Sequence, residues 1–212
     1  MRTPPFASAL QPRLIAPLVA ALAFYAIFLF RAGVLQDPDT FWHIAAGEWI
    51  LDHGYVPHVD VFSHTMAGAP WQAHEWLSEV LMALAYRLGD WTGVVVLFGL
   101  AGAAMAGLLT ARVARPLGGL VLIVTIILAL SSTGRSLLTR PHILMLPVLV
   151  FWVSRMVDAR DAGKAPPLWM ALVMTVWANL HGSYVFVFLL AGFFALAALV
   201  DAVGHTAHLA VL

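Results

Sequence analysis

The sequence predicts an all-α, polytopic transmembrane helical bundle. Three observations predict it. Hydrophobic residues make up 62% of the 212 positions and charged ones 10%, with a mean hydropathy of +0.90; soluble domains run near ~45–50% apolar and ~25% charged. The apolar residues gather in long runs that are almost free of charge. The breaks between runs fall at prolines, glycines and an aspartate. This composition excludes a soluble enzyme, a disordered chain and a nucleic-acid binder. Lys+Arg and Asp+Glu are both 11, and cysteine is absent, so disulfides, thiol catalysis and cysteine metal sites are excluded as well.

A membrane crossing needs about 20 apolar residues. Six runs qualify as spans: 15–35, 91–111, 117–131, 141–157, 167–180 and 183–200. The first is basic at its start, with Arg2 and Arg13, but runs too long and exits too poorly for a cleaved signal; it reads as an uncleaved helix. Asp90 is placed to cap the second span. Pro116 follows that span, while Pro141 and Pro167 open the fourth and fifth, where a missing N–H is tolerated. Gly182-Ser183 closes one helix and caps the next. The end of the chain, 207–212, reads as the start of a seventh apolar run, so residues 1–212 are expected to be a single transmembrane domain, the N-terminal part of a longer protein.

Basic residues in short loops set orientation. With the N-terminus in the cytoplasm, Arg2, Arg13, Arg112, Arg115, Arg155, Arg160 and Lys164 share the inner side. The outer side then receives segment 36–90, with Asp37, Asp39, Glu48, Asp52, Asp60, Glu75, Glu79 and Asp90. The expected home is a membrane crossed several times, with the lipid bilayer as the first partner and oligomeric state open. Segment 36–90 is an external loop too long to lack structure. A helix over 41–53, capped by Asp39 or Thr40 and stopped by Gly54, and a second over 71–88 are expected to lie along the membrane surface. Five tryptophans, at 42, 49, 71, 76 and 91, sit in or beside this loop. They read as an interfacial belt, with one or two available to stack on a sugar ring.

Four groups carry candidate chemistry. Asp37-Pro38-Asp39 offers two carboxylates for catalysis or for a divalent cation, Mg or Mn. His43, four residues after Asp39, falls on the same helix face and joins that metal set. His74-Glu75-Trp76-Leu77-Ser78-Glu79 places Glu75 and Glu79 one turn apart, a repulsive pair unless a cation or proton lies between them. Ser78 stands where a zinc protease would need its second histidine, so that reading fails. Arg135 and Arg140-Pro141-His142 form a grip for a phosphate at the outer mouth of the third and fourth spans, or pair with the acids of 36–90. Asn179-Leu180-His181-Gly182 ends a span of only 14 residues, which places His181 below the outer surface with further phosphate contacts from His181 and Asn179. These groups all map to the outer face. Carboxylates beside a phosphate grip suit a reaction on a lipid-linked phosphate.

The layout resembles the GT-C class of polytopic glycosyltransferases, in which an acidic motif follows the first helix and the loop's helices lie along the membrane. Asp37-Pro38-x-x-Phe41 and Ile50-Leu51-Asp52-His53-Gly54 are similar to stretches of oligosaccharyltransferase catalytic subunits. The chain also resembles a bacterial group of uncharacterised membrane proteins through Asp37 to His43, Trp71 to Trp76, Arg140 to His142 and Trp177 to Gly182. No W-W-D-Y-G-like acceptor motif is present. The resemblance implies sugar transfer from a polyprenyl-phosphate donor to an acceptor outside the membrane. Asp37 or Asp39 would serve as general base or hold the cation, and Arg135, Arg140 and His142 would stabilise the departing phosphate. The competing expectations are a transporter or flippase of a lipid-linked or anionic solute, whose charges should lie near the bilayer midplane, and a non-catalytic membrane scaffold. A rhomboid-type protease fails for want of its serine motif.

Overall fold

The computed structural model describes residues 12–209, with the side chains at 12–13, 135 and 202–209 excepted. Arg2 and part of the expected run at 207–212 lie outside the described residues. Seven α-helices follow in order: α1 (Pro12–Phe30), α2 (Asp39–His53), α3 (Trp76–Val113), α4 (Gly119–Ser132), α5 (Pro141–Asp161), α6 (Met170–Leu180) and α7 (Val185–Leu209). Short 3-10 turns at Gly134–Ser136 and Gly182–Tyr184 precede α5 and α7. Among the described residues the only β feature is a single bridge between Val59 and Pro70.

Among the described residues, three stretches are long and apolar enough to cross a membrane: Trp76–Val113, Pro141–Asp161 and Gly182–Asp201. Leu14–Phe30, Gly119–Ser132 and Met170–Leu180 are apolar but shorter. At about 1.5 Å per residue, the 14 residues of α4 rise about 21 Å and the 11 residues of α6 about 16 Å, against a hydrocarbon core of about 30 Å. Of the six expected spans, three have crossing length and α4 and α6 fall short, while the 19 residues of α1 rise about 28 Å. The outward faces of α4 and α7 expose Leu120, Ile123, Ile127, Leu128, Phe186, Phe188, Phe193 and Leu199, a surface compatible with lipid.

Helix α3 is two helices in one. Gly89 and Asp90 leave helical geometry (Asp90 φ 47, ψ −142), dividing an arm over 76–88 from an arm over 91–113. The chain turns so sharply that a side chain at Gly93 would run into the Ala85 carbonyl. Asp90, expected to cap the helix that opens at Trp91, takes positive φ and forms the corner between the two arms. The long arm pairs antiparallel with α1 through glycines. Gly99 faces Tyr25 and Phe28, Gly102 faces Phe24, and Gly107 faces Ala21. Small residues let two helices approach closely where apolar burial alone gives no advantage over lipid. Phe24, Phe28, Phe98, Met105, Ile143, Trp152 and Trp177 fill the shared core.

The loop unit is built on α2 and the short arm of α3, which pack face to face. Gly47 of α2 lies directly on the Glu79 carbonyl, with no room for a Cβ. Arg87 clamps the pair by bonding Glu48 and Asp52. Gly54 ends α2 with φ 74, its N–H returning to the Ile50 carbonyl, as an αL stop should. The start of α2 differs from expectation. Asp37 Oδ1 accepts the Asp39 N–H at 3.0 Å, so Asp37 does the capping. Thr40 is buried instead and bonds the Thr139 backbone carbonyl and hydroxyl. The second loop helix starts at Trp76, five residues after the expected Trp71. Residues 71–75 are held in the connecting loop, where Trp71 N–H donates to the His58 carbonyl and Asp60 to Ala69. Hydrogen bonds from Ser63 and Phe62 hold the Asp60 carboxyl below its ordinary value.

The helices alternate in direction, so the polar ends segregate. One end gathers the ends of α1 and α6, the starts of α5 and α7, and the loop unit. The other gathers Arg112 and Arg115 with Asp158 and Asp161, and Arg160 with Asp201.

Candidate functional site

The site lies at the loop-unit end. It begins with the turn after α1, where Thr139 donates to the Val34 carbonyl through both its N–H and its hydroxyl. Thr40 then bonds Thr139. These buried threonines tie the start of α2 to the start of α5. They bring Asp37 and Asp39 to Arg140, about a hundred positions away in sequence. Arg140 uses Nε and Nη2 on the two Asp37 oxygens and shares Nη2 with Asp39 Oδ2 at 2.8 Å. The Asp37 side chain is 2% exposed and that of Asp39 57%. Asp37 is therefore a buried anchor, while Asp39 still faces solvent. Arg140 was expected to grip phosphate; its fork is instead occupied by the acids, the alternative pairing.

A second knot centres on Glu75. Its carboxylate meets Nε2 of His181 at 3.4 Å, of His74 at 3.6 Å and of His43 at 3.9 Å. The other His43 nitrogen, Nδ1, lies 3.4 Å from Glu79 Oε1. His43 thus sits between the two glutamates that repel each other along α3, rather than turning to Asp39 as the helical spacing suggested. The expected Asp37, Asp39 and His43 metal set is divided between the two knots. Among the described residues, no group of three or more His, Asp or Glu side chains is placed to hold a metal ion.

The turn after α6 completes the wall. His181 leaves the helix in extended geometry, and its Nδ1 accepts the Ser183 N–H at 3.1 Å. That bond puts the ring proton of neutral His181 on Nε2, toward Glu75. Burial pushes His181 below the ordinary histidine value, and the Glu75 charge opposes this. His142 Nε2 donates to the Ser136 carbonyl at 2.9 Å, and its ring lies 6.1 Å from that of His181. Asn179 does not face the cavity as a phosphate ligand: its side chain accepts the Trp76 indole N–H and donates to the Thr175 carbonyl. Ser78 donates to the Leu180 carbonyl at 2.7 Å, so Trp76 and Ser78 together dock the loop unit on the end of α6. The backbone of Arg135 lies in the Gly134–Ser136 turn.

The two knots border one polar cavity of about 380 Å³, lined by Asp39, Trp42, His43, Glu75, Arg140, Pro141, His142 and His181. The sequence supplied six of these as candidates, and Trp42 only as one of five tryptophans. Trp42 borders the cavity while packing edge-on against Phe62 and Trp71. Its neighbours differ in role: Trp49 stacks on His53, and Trp91 packs against Phe41 and Tyr86.

Fold and site together define the class: an all-helical protein with three membrane-length helices and a carboxylate, histidine and arginine cavity at one end of the bundle. No family model, curated protein or solved structure matches the chain.

Proposed function

We propose that the chain is a membrane glycosyltransferase of the GT-C kind, moving a sugar from a polyprenyl-phosphate donor to an acceptor on the outer face of the membrane. The reading takes the N-terminus as cytoplasmic and all six apolar runs as crossings, the shorter ones completed by their flanking turns, in a bacterial inner membrane. The observation that carries it is the shared cavity. Four separated stretches contribute acidic, basic and aromatic groups to one polar hollow at the end of an apolar bundle. A water-soluble sugar and a lipid-borne phosphate can meet at such a place.

The chemistry assigns roles by exposure. Asp39 is the cavity carboxylate open to solvent, and it serves as general base. As the acceptor oxygen bonds to the anomeric carbon, Asp39 takes the hydroxyl proton. The bond from that carbon to the phosphate oxygen breaks, and its electrons leave with the phosphate. Arg140 Nη1, His142 and His181 face the growing phosphate charge, with Asp37 holding Arg140 in place. Trp42 offers its ring to the sugar.

The test is turnover of polyprenyl-phosphate hexoses by the full chain in liposomes. Asp39→Asn is expected to abolish transfer while the protein remains folded, and Trp42→Ala to weaken donor binding. Full turnover in Asp39→Asn removes the base from the mechanism. Absence of both donor binding and transfer in the unaltered chain sinks the reading. A non-catalytic scaffold is then favoured, and the Asp37–Arg140–Asp39 lock already supports one, because its charges satisfy each other. Transport is disfavoured because the described ion pairs gather at the two ends of the bundle.

A further inference from the structure

A groove of about 510 Å³ runs between α1 and α4 and shares no residue with the polar cavity. Its α1 wall is Ala16, Ala20 and Ala23, three small residues on one helix face. Its α4 wall is Ile123, Ile127 and Leu130. Small residues allow a neighbouring helix to approach closely, yet α4 leaves the gap open: Ile27, Ile123 and Ile127 stay exposed along it. At the loop-unit end the lining turns polar, with Arg31, Ser131 and Gly134.

Arg31 is the second observation. Arg87, Arg112, Arg115, Arg140, Arg155 and Arg160 each meet a carboxylate. Among the arginines with described side chains, Arg31 alone meets none, and no acid lines its groove. It stands exposed just past the end of α1. A cation at the edge of hydrocarbon calls for a partner. We propose that the groove seats one tail of an anionic phospholipid, with the headgroup phosphate on the Arg31 guanidinium. The apolar wall from Ala16 to Ile27 rises about 17 Å. That is close to one leaflet, half of a core about 30 Å thick, and so to the depth of an ordinary acyl tail. Arg31 lies one turn further out, at the level of the phosphate. Without an acid in the lining, the ammonium of a zwitterionic lipid finds no partner, which favours a lipid of net negative charge.

The seat is independent of the transferase reading. A polyprenyl-phosphate donor must bring its phosphate to the cavity of Asp39 and Trp42, and Arg31 lies outside that lining. The phospholipid is instead a resident of the bundle's flank, filling the gap between α1 and α4.

The experiment uses the full chain in non-ionic detergent micelles doped with phosphatidylglycerol, phosphatidylcholine or a polyprenyl phosphate. Lipid retained per chain is counted by native mass spectrometry. One phosphatidylglycerol per chain is expected, held in preference to the other two. Arg31→Gln should weaken its retention about fivefold and erase the preference over phosphatidylcholine. Ala23→Phe should abolish retention by filling the groove while Arg31 stays in place. Both variants alter exposed side chains, so the fold does not depend on them. Equal retention of phosphatidylglycerol and phosphatidylcholine by the unaltered chain overturns the proposal, as does unchanged retention in Arg31→Gln. Tighter retention of the polyprenyl phosphate also overturns it, by giving the groove to a sugar donor's carrier.

Discussion

Asp37 and Asp39 meet the same guanidinium, yet their surroundings give them different duties. Asp37 is sealed in, caps α2 and takes two of the Arg140 contacts. Removing it takes two charge-assisted hydrogen bonds from Arg140, which is half-exposed and keeps Asp39, so Asp37→Ala should cost about 1.5–3 kcal/mol. Asp39 is largely in water, where an ion pair contributes under about 1 kcal/mol. Asp39→Asn should barely move the thermal unfolding midpoint in detergent while removing turnover. Equal destabilisation by the two variants would mean that burial does not separate anchor from base. The sequence marked both residues, and their D-x-D spacing is visible to any reader. It did not reveal that Arg140 would stand between them, because that contact closes a loop of about a hundred residues. His43 was likewise legible as a site residue, but its helical spacing pointed to Asp39 and the packed structure turned it to Glu79.

At the scale of elements, the loop unit depends on two backbone features. Gly47 lets α2 lie against the Glu79 carbonyl. Gly47→Ala should force the helices apart, at about 2–3 kcal/mol, and should move Glu79 and His43 with them. A lower thermal unfolding midpoint in detergent is expected; unchanged unfolding would show that the contact is loose. The corner at Asp90 is the second feature. A non-glycine residue at φ 47 carries strain, and relief of such strain amounts to about 1 kcal/mol. Asp90→Gly should therefore raise the unfolding midpoint, and a fall would mean that the aspartate side chain holds the corner. The helices of this unit were legible from cap and stop residues, most clearly Gly54. The start of α3 was not, because residues 71–75 have helical composition but the Trp71 N–H is taken by the His58 carbonyl of the loop.

For the whole molecule, alternating helix direction makes a strong expectation. The natural absence of cysteine allows single cysteines to report sidedness. On intact cells, an impermeant maleimide should label His64→Cys in the loop unit and should reach Lys164→Cys only after permeabilisation. Labelling of both from one side would overturn the alternation and, with it, the placement of the cavity outside. The ion pairs of Arg112, Arg115 and Arg160 at the far end follow the basic-residue asymmetry read from the loops. The number of full crossings does not follow from the apolar runs alone, since α4 and α6 are shorter than a bilayer core.

The sequence by itself determined the helical class, the apolar runs, the polar loop unit and most of the side chains that border the cavity. Those depend on local composition and on period, which a chain carries in every short window. Only the tertiary structure decided who meets whom: Arg140 with two aspartates, His43 with two glutamates, Asn179 with Trp76 rather than with the cavity. Such partnerships join segments far apart in the chain. They are set by which backbones can approach and which buried polar groups must be satisfied, and neither condition is written in any single stretch of residues.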